Sequence, residues 1–134
     1  MATLVRNELI TVESDSARRV LIVRRTARAP DSPDALLEAY GPALLGMDQF
    51  QGWGLLLDFR LAPGQNGADF ERTLQRLRER VDDVFPRVAM VVSTVVGELH
   101  AQRLQLQRRG EWFDEGGETL VTRDYDQAMR HVAE

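Results

Sequence analysis

The chain contains no cysteine and no lysine. Without cysteine there is no disulfide framework, no thiolate metal site and no cysteine nucleophile. Without lysine there is no Schiff base and no phosphate-loop lysine. All 17 basic residues are arginine, the usage expected of a GC-rich genome. Histidine occurs only at His100 and His131, singly and without metal-ligand spacing. No apolar run approaches the roughly 20 residues that span a bilayer. The opening residues, Met1 to Glu8, lack the apolar core of a signal peptide. No Ser-His-Asp set with an elbow motif and no Gly-rich phosphate loop is present. The net charge is −4, from 21 acidic and 17 basic residues, which argues against nucleic acid as the main partner. The expectation is a soluble cytoplasmic protein with no metal, no cofactor and no membrane insertion.

What is there is enough to fold. At 134 residues the chain is expected to form a single domain, 1–134, that buries close to two-thirds of its unfolded surface. Residues 4–12 read as one strand, Glu13-Ser14-Asp15-Ser16 as a turn, and 20–26 as its antiparallel hairpin partner. Asp31 or Ser32 then caps a helix with Pro33 in its first turn. Gly41-Pro42 inside that helix predicts a kink or a split.

Residues 53–59 are nearly all apolar and read as a strand covered on both faces. The loop Leu61 to Gly67 leads into the clearest helix of the chain, with Phe70, Leu74, Leu77, Val81 and Phe85 on one stripe. Asn66 and Asp69 form a plausible capping pair for it. Pro86 ends this helix, and Val88–Val92 is a second buried strand. A third helix is expected from about Gly97 to Arg109, with Leu99, Leu106 and Gln102 or Arg103 turned inward and Gly110 as its stop. Glu111-Trp112-Phe113 and Leu120-Val121 read as extended pieces. Asp124 caps a last helix bearing Tyr125, Ala128, Met129 and Val132. The order β-β-α-β-α-β-α-β-(β)-α predicts an α/β fold, a mixed and mostly parallel sheet with an N-terminal antiparallel hairpin.

The candidate sites fall at strand ends. Asp58 and Arg60 close the first buried strand, as a partner-contacting charge pair or a local pair that holds the loop. Gln65 and Asn66 can orient a ligand or peptide beside free helix amides, or serve as turn and cap. Thr94 and Gly97 mark a second helix N-terminus, an anion site or an ordinary cap. Arg103 belongs to a polar helix face, for a partner or for solvent. Trp53 and Trp112 flank strands and suit a core or rim position better than a stacking platform.

Over most of its length the chain resembles the STAS superfamily, the fold of anti-sigma-factor antagonists. The residues that carry this are Leu55-Leu56-Leu57-Asp58 leading into Gly64-Gln65-Asn66-Gly67, and Val88–Val92 followed by Ser93-Thr94-Val95-Val96-Gly97. In the antagonists the first loop reads Asp-Ser-Ser-Gly, and its serine is phosphorylated by a partner kinase. Here Gly67 keeps the glycine and Asn66 stands where the acceptor serine would be. The resemblance implies a non-enzymatic bacterial regulatory module that binds another protein, such as a signalling or sigma-regulatory protein, without that phosphoswitch.

Two alternatives stand beside this reading. Asp58 and Thr94 mimic the acceptor and switch positions of a response-regulator receiver, although Arg24-Arg25 follows the first strand where acidic metal ligands belong and the required lysine is missing. An apolar pocket between helices and sheet would instead make the protein a small-molecule or lipid binder. The exposed hairpin edge can pair with a second copy to form a homodimer. An enzyme is the least supported class.

Overall fold

A computed structural model of the protein describes residues 1–63, 68–97, 99, 101–102 and 119–133. Near its start the chain makes a turn closed by one side chain. Asn7 Oδ1 accepts hydrogen bonds from the backbone amides of Leu9 and Ile10, both at 2.9 Å, and Asn7 Nδ2 donates to the carbonyl of Ala39 at 3.1 Å. An asparagine that closes its own turn in this way ends a strand. The expected single strand over 4–12 is therefore two, β1 (Ala2–Arg6) and β2 (Ile10–Asp15). Glu13, Ser14 and Asp15 lie in β2 rather than in a turn. The turn comes at Ser16–Arg19, where Arg19 adopts φ 55°. The chain then enters β3 (Val20–Arg25). The N-terminal hairpin is thus a three-stranded antiparallel unit, β1-β2-β3.

Ser32 caps helix α1 (Pro33–Leu45) by accepting from the Ala35 amide at 3.1 Å, with Pro33 at its start. A cap of this kind contributes about 1 kcal/mol. The helix runs unsplit through Pro42. That proline and Glu38, whose carbonyl loses the bond, are both exposed, so water can take the place of the missing donor. The break falls at Gly46 instead, followed by a 3-10 turn, Met47–Phe50. Phe50 packs edge-on against Trp53, with ring centroids 5.0 Å apart, which puts that tryptophan at the rim of the core.

Strand β4 (Gly54–Asp58) is buried along its whole length, as its apolar run requires. Helix α2 (Ala68–Asp82) lays Phe70, Leu74, Leu77 and Val81 on the core. It ends before Phe85, which is buried from the segment that follows. Strand β5 is Arg87–Val91 and β6 is Thr119–Thr122. Residues 95–97 are helical, but Leu99, expected inward, is 60 % exposed, and Gln102 is exposed too. The inward side at this point carries Ala101, not Leu99. Asp124 Oδ1 accepts from the amides of Asp126 and Gln127 and caps α3 (Tyr125–Val132) as expected. The strand expected at Glu111–Phe113, the inward Leu106 and the stop at Gly110 lie outside the described residues.

The sheet is six-stranded and mixed, in the order β1-β2-β3-β4-β5-β6. β3 to β6 are parallel, as strands separated by helices predict. Alternation along the strands divides the core in two. Leu21, Val23, Leu55, Leu57 and Val88 face α1 and α2. Val20, Ile22, Leu56, Ala89 and Val91 face α3. Fully burying side chains of this size contributes about 1.5–3 kcal/mol each before conformational entropy is subtracted. Among the described residues no helix is long and apolar enough to cross a membrane.

Candidate functional site

Parallel pairing sets Arg24 at the end of β3 beside Asp58 at the end of β4. Their side chains share the α3 face, and Glu13 joins them from the diagonal position on β2. Arg24 pairs with Glu13, lies 3.6 Å from Asp58 through Nε, and donates from Nη2 to the Tyr125 hydroxyl at 3.2 Å. Arg60, two residues past the strand, forks onto Asp58 with Nε at 2.9 Å and Nη2 at 2.8 Å. Its backbone amide donates to Asp58 Oδ1 at 3.3 Å. The guanidinium then rests over the Tyr125 ring, 4.9 Å from the centroid. Two acids, two arginines and one tyrosine thus form a network with no net charge at the carboxyl end of the parallel strands.

The Asp58 side chain is only 7 % exposed. Burial by itself would raise its pKa. The side-chain and backbone hydrogen bonds from Arg60, with the charges of Arg60 and Arg24, outweigh burial and hold the carboxyl below its usual range. Asp58 in turn raises the pKa of Arg60 through the same hydrogen bonds. A carboxylate kept ionised in an arginine fork is a poor general base near neutral pH. Its physical work is to aim Arg60, which is half exposed, out of the loop that follows β4.

The other expected residues divide. Thr94 Oγ1 accepts from the Gly97 amide at 2.9 Å, so these two do meet, as a local cap on the helical residues after β5. They sit at the same end of the sheet as Asp58, because the Phe59 amide bonds the Val91 carbonyl at 2.9 Å and ties the two strand ends together. Gln65, Asn66, Gly67 and Arg103 lie outside the described residues, as does His100. Among the described residues no cluster of His, Cys, Asp or Glu is arranged to hold a metal ion.

Sequence reasoning did not reach Glu13, Arg24 and Tyr125 as site residues, nor the place of Arg25 in a cavity on the opposite face. Alternation sends Arg25 the other way from Arg24, into the layer under α1 and α2. There a cavity of about 760 Å³ opens, walled by Leu21, Leu36, Leu57, Phe70, Leu74 and Met90 among others. Arg25 and Tyr40 also line it, and so do Thr94 and Gly97. The signal was present in the strand: Arg25 shares the parity of Leu21 and Val23, which is the parity of the core.

Burial raises the Tyr40 hydroxyl to about 12, against the opposing pull of the neighbouring Arg25 charge. A pKa raised above the unfolded value stabilises the fold fully below about pH 10, and that contribution is lost as pH rises toward about 12. A near-ultraviolet titration should therefore show a tyrosine step near pH 12 that disappears in Tyr40→Phe. A high-pH step that survives the substitution would place the phenol in water.

Compared with protein-family models, curated proteins and solved structures, the chain matches none of them.

Proposed function

We propose that this protein is a non-enzymatic interaction module of STAS-like topology that meets a partner protein at the carboxyl end of its parallel strands. The observation that carries the reading is a set of apolar side chains left in solvent at that end. Leu61 follows β4 and is 66 % exposed; Val96 follows β5 and is 77 % exposed. Val95 and Leu99 are exposed beside it. Apolar side chains exposed at the same end of the sheet as an oriented arginine suit a protein partner, with the apolar groups supplying area and Arg60 supplying direction. The STAS-like part of the reading is supported by parallel strands in sequence order, each followed by helix, and a final helix on the opposite face. The additional strand β1 departs from the expected hairpin.

Of the two alternatives, the receiver reading gains nothing. A receiver sheet runs 2-1-3-4-5 with a swap of strand order, whereas the parallel strands here follow one another without one. Asp58 is also engaged by arginine on both oxygens.

The test is a photo-crosslinking amino acid at position 96, used in cells to trap a partner, followed by affinity measurement with that partner. Val96→Asp combined with Leu61→Asp should weaken binding by at least tenfold while leaving the melting temperature near the parent value, since both side chains are exposed. Undiminished binding would move the docking surface elsewhere. The exposed β1 edge, which carries a bulge between Thr3 and Val5, is then the next surface to consider, for a second copy.

A further inference from the structure

Arg25 is 7 % exposed, and among the described residues its Nε and Nη2 have no hydrogen-bond partner. Arginine does not escape such a position by losing its proton. An uncompensated buried charge is costly, and folded proteins retain one only where something meets it. The cavity that Arg25 enters is lined mostly by apolar side chains, with Gln75, Arg78, Ser93, Thr94 and Thr119 among the polar ones, and no aspartate or glutamate is among the described residues that line it. The second arginine in the wall, Arg78, is already engaged, 3.4 Å from Asp82 and donating to Thr119 Oγ1 at 2.6 Å. Tyr40 is the neutral hydrogen-bond partner of Arg25 and keeps its proton, so its hydroxyl can still donate to a ligand while no anion balances the guanidinium. One fork of two N–H groups beside one hydroxyl, at the end of a leucine- and phenylalanine-lined space, matches a single planar anion on an apolar body. The volume, about 760 Å³, lies in the range of small-molecule sites.

We propose that the cavity between the sheet and helices α1 and α2 binds a monocarboxylate amphiphile, with the carboxylate on Arg25 and Tyr40 and the hydrocarbon among the core side chains. This site lies on the face of the sheet opposite the Asp58–Arg60 network and does not depend on the docking role of that end. Recognition is noncovalent. The carboxylate supplies the counter-charge that Arg25 lacks, and Arg25 supplies orientation.

Calorimetric titration of the full chain with octanoate, decanoate and dodecanoate, against decanol and decylammonium, tests the proposal. Affinity should rise with chain length, by up to about fourfold for each methylene buried. Decanoate should bind about ten- to a hundredfold tighter than decanol, and decylammonium should not bind. Arg25→Met keeps an unbranched, flexible apolar stem and removes the guanidinium with its charge. It should abolish the preference for decanoate over decanol while leaving the ligand-free protein at least as heat-stable as the parent, because it deletes an unpaired charge. Tyr40→Phe should weaken decanoate several-fold and decanol hardly at all. The proposal fails if the parent binds none of the carboxylates. It also fails if the parent binds decanoate and decanol equally, or if a folded Arg25→Met protein keeps the full preference for decanoate.

Discussion

Gly54→Ala should lower the melting temperature by about 10 °C or more, the largest effect expected from any single methyl group in β4. A Cβ built on Gly54 lies 2.1 Å from the Val132 carbonyl oxygen and 2.8 Å from both its carbonyl carbon and its Cβ. These are backbone atoms and a fully buried side chain, not the tip of a flexible one. Val132 is held from its other side as well, since Arg87 Nε donates to its carbonyl at 3.1 Å. To admit the methyl, the end of α3 must lift from the sheet and uncover Leu56 and Val20. Overpacking that cannot relax costs about 3 kcal/mol or more, a large share of the 5–15 kcal/mol that holds a fold together. Gly41→Ala is the contrasting case. It lies within α1, and beyond its chain neighbours nothing stands within 4 Å of its added Cβ, but the Cδ of Pro42 crowds that Cβ and offsets the usual gain, so the melting temperature should stay near the parent value. Thermal unfolding followed by circular dichroism checks both. Equal melting temperatures for Gly54→Ala and the parent would mean that α3 is not seated against β4.

Asp58→Asn should cost about 2 kcal/mol at neutral pH, because it leaves Arg24 and Arg60 facing each other without the charge between them. The figure is below that of a wholly buried pair because the two arginines are 33 % and 45 % exposed. The pH dependence has a definite sign. The Asp58 carboxyl is depressed in the folded state, so its contribution is complete above the unfolded value of about 4 and is lost as pH falls through the folded one. Urea unfolding of parent and variant at a series of pH values should show a constant gap near neutrality that narrows below about pH 4. A gap that stays open at the acid end would show that the lost stability comes from shape and not from charge. The variant should also free Arg60 from its fork, so that loss of partner binding accompanies a modest loss of stability.

The positions that local chemistry controls were readable from the amino acids. Ser32-Pro33 and Asp124 start helices because a side-chain oxygen and a preset φ act within one turn. β4 and β5 follow from apolar runs, and the Asp58–Arg60 pair from a separation of two residues. What was not readable depended on partners far along the chain or on a single side chain's choice. Leu9 keeps the apolar pattern going across the turn that Asn7 makes, so two strands look like one. Tyr125 meets Arg24 across 101 positions of sequence. The meaning of Arg24-Arg25 lies in the pleat, which sends one guanidinium into a satisfied network and the other into a largely apolar cavity.

A chain leaving the ribosome can lay down this sheet one strand at a time, because each strand pairs with the one made just before it. No strand has to be inserted between two that are already joined. Helices α1 and α2 arrive between their strands and cover one face as it grows. The other face must wait. Val20, Ile22, Leu56, Ala89 and Val91 stay bare until Tyr125–Val132 has been synthesised. The bare notch at Gly54 then receives the last turn of that helix, so assembly finishes where a missing side chain has kept a place open.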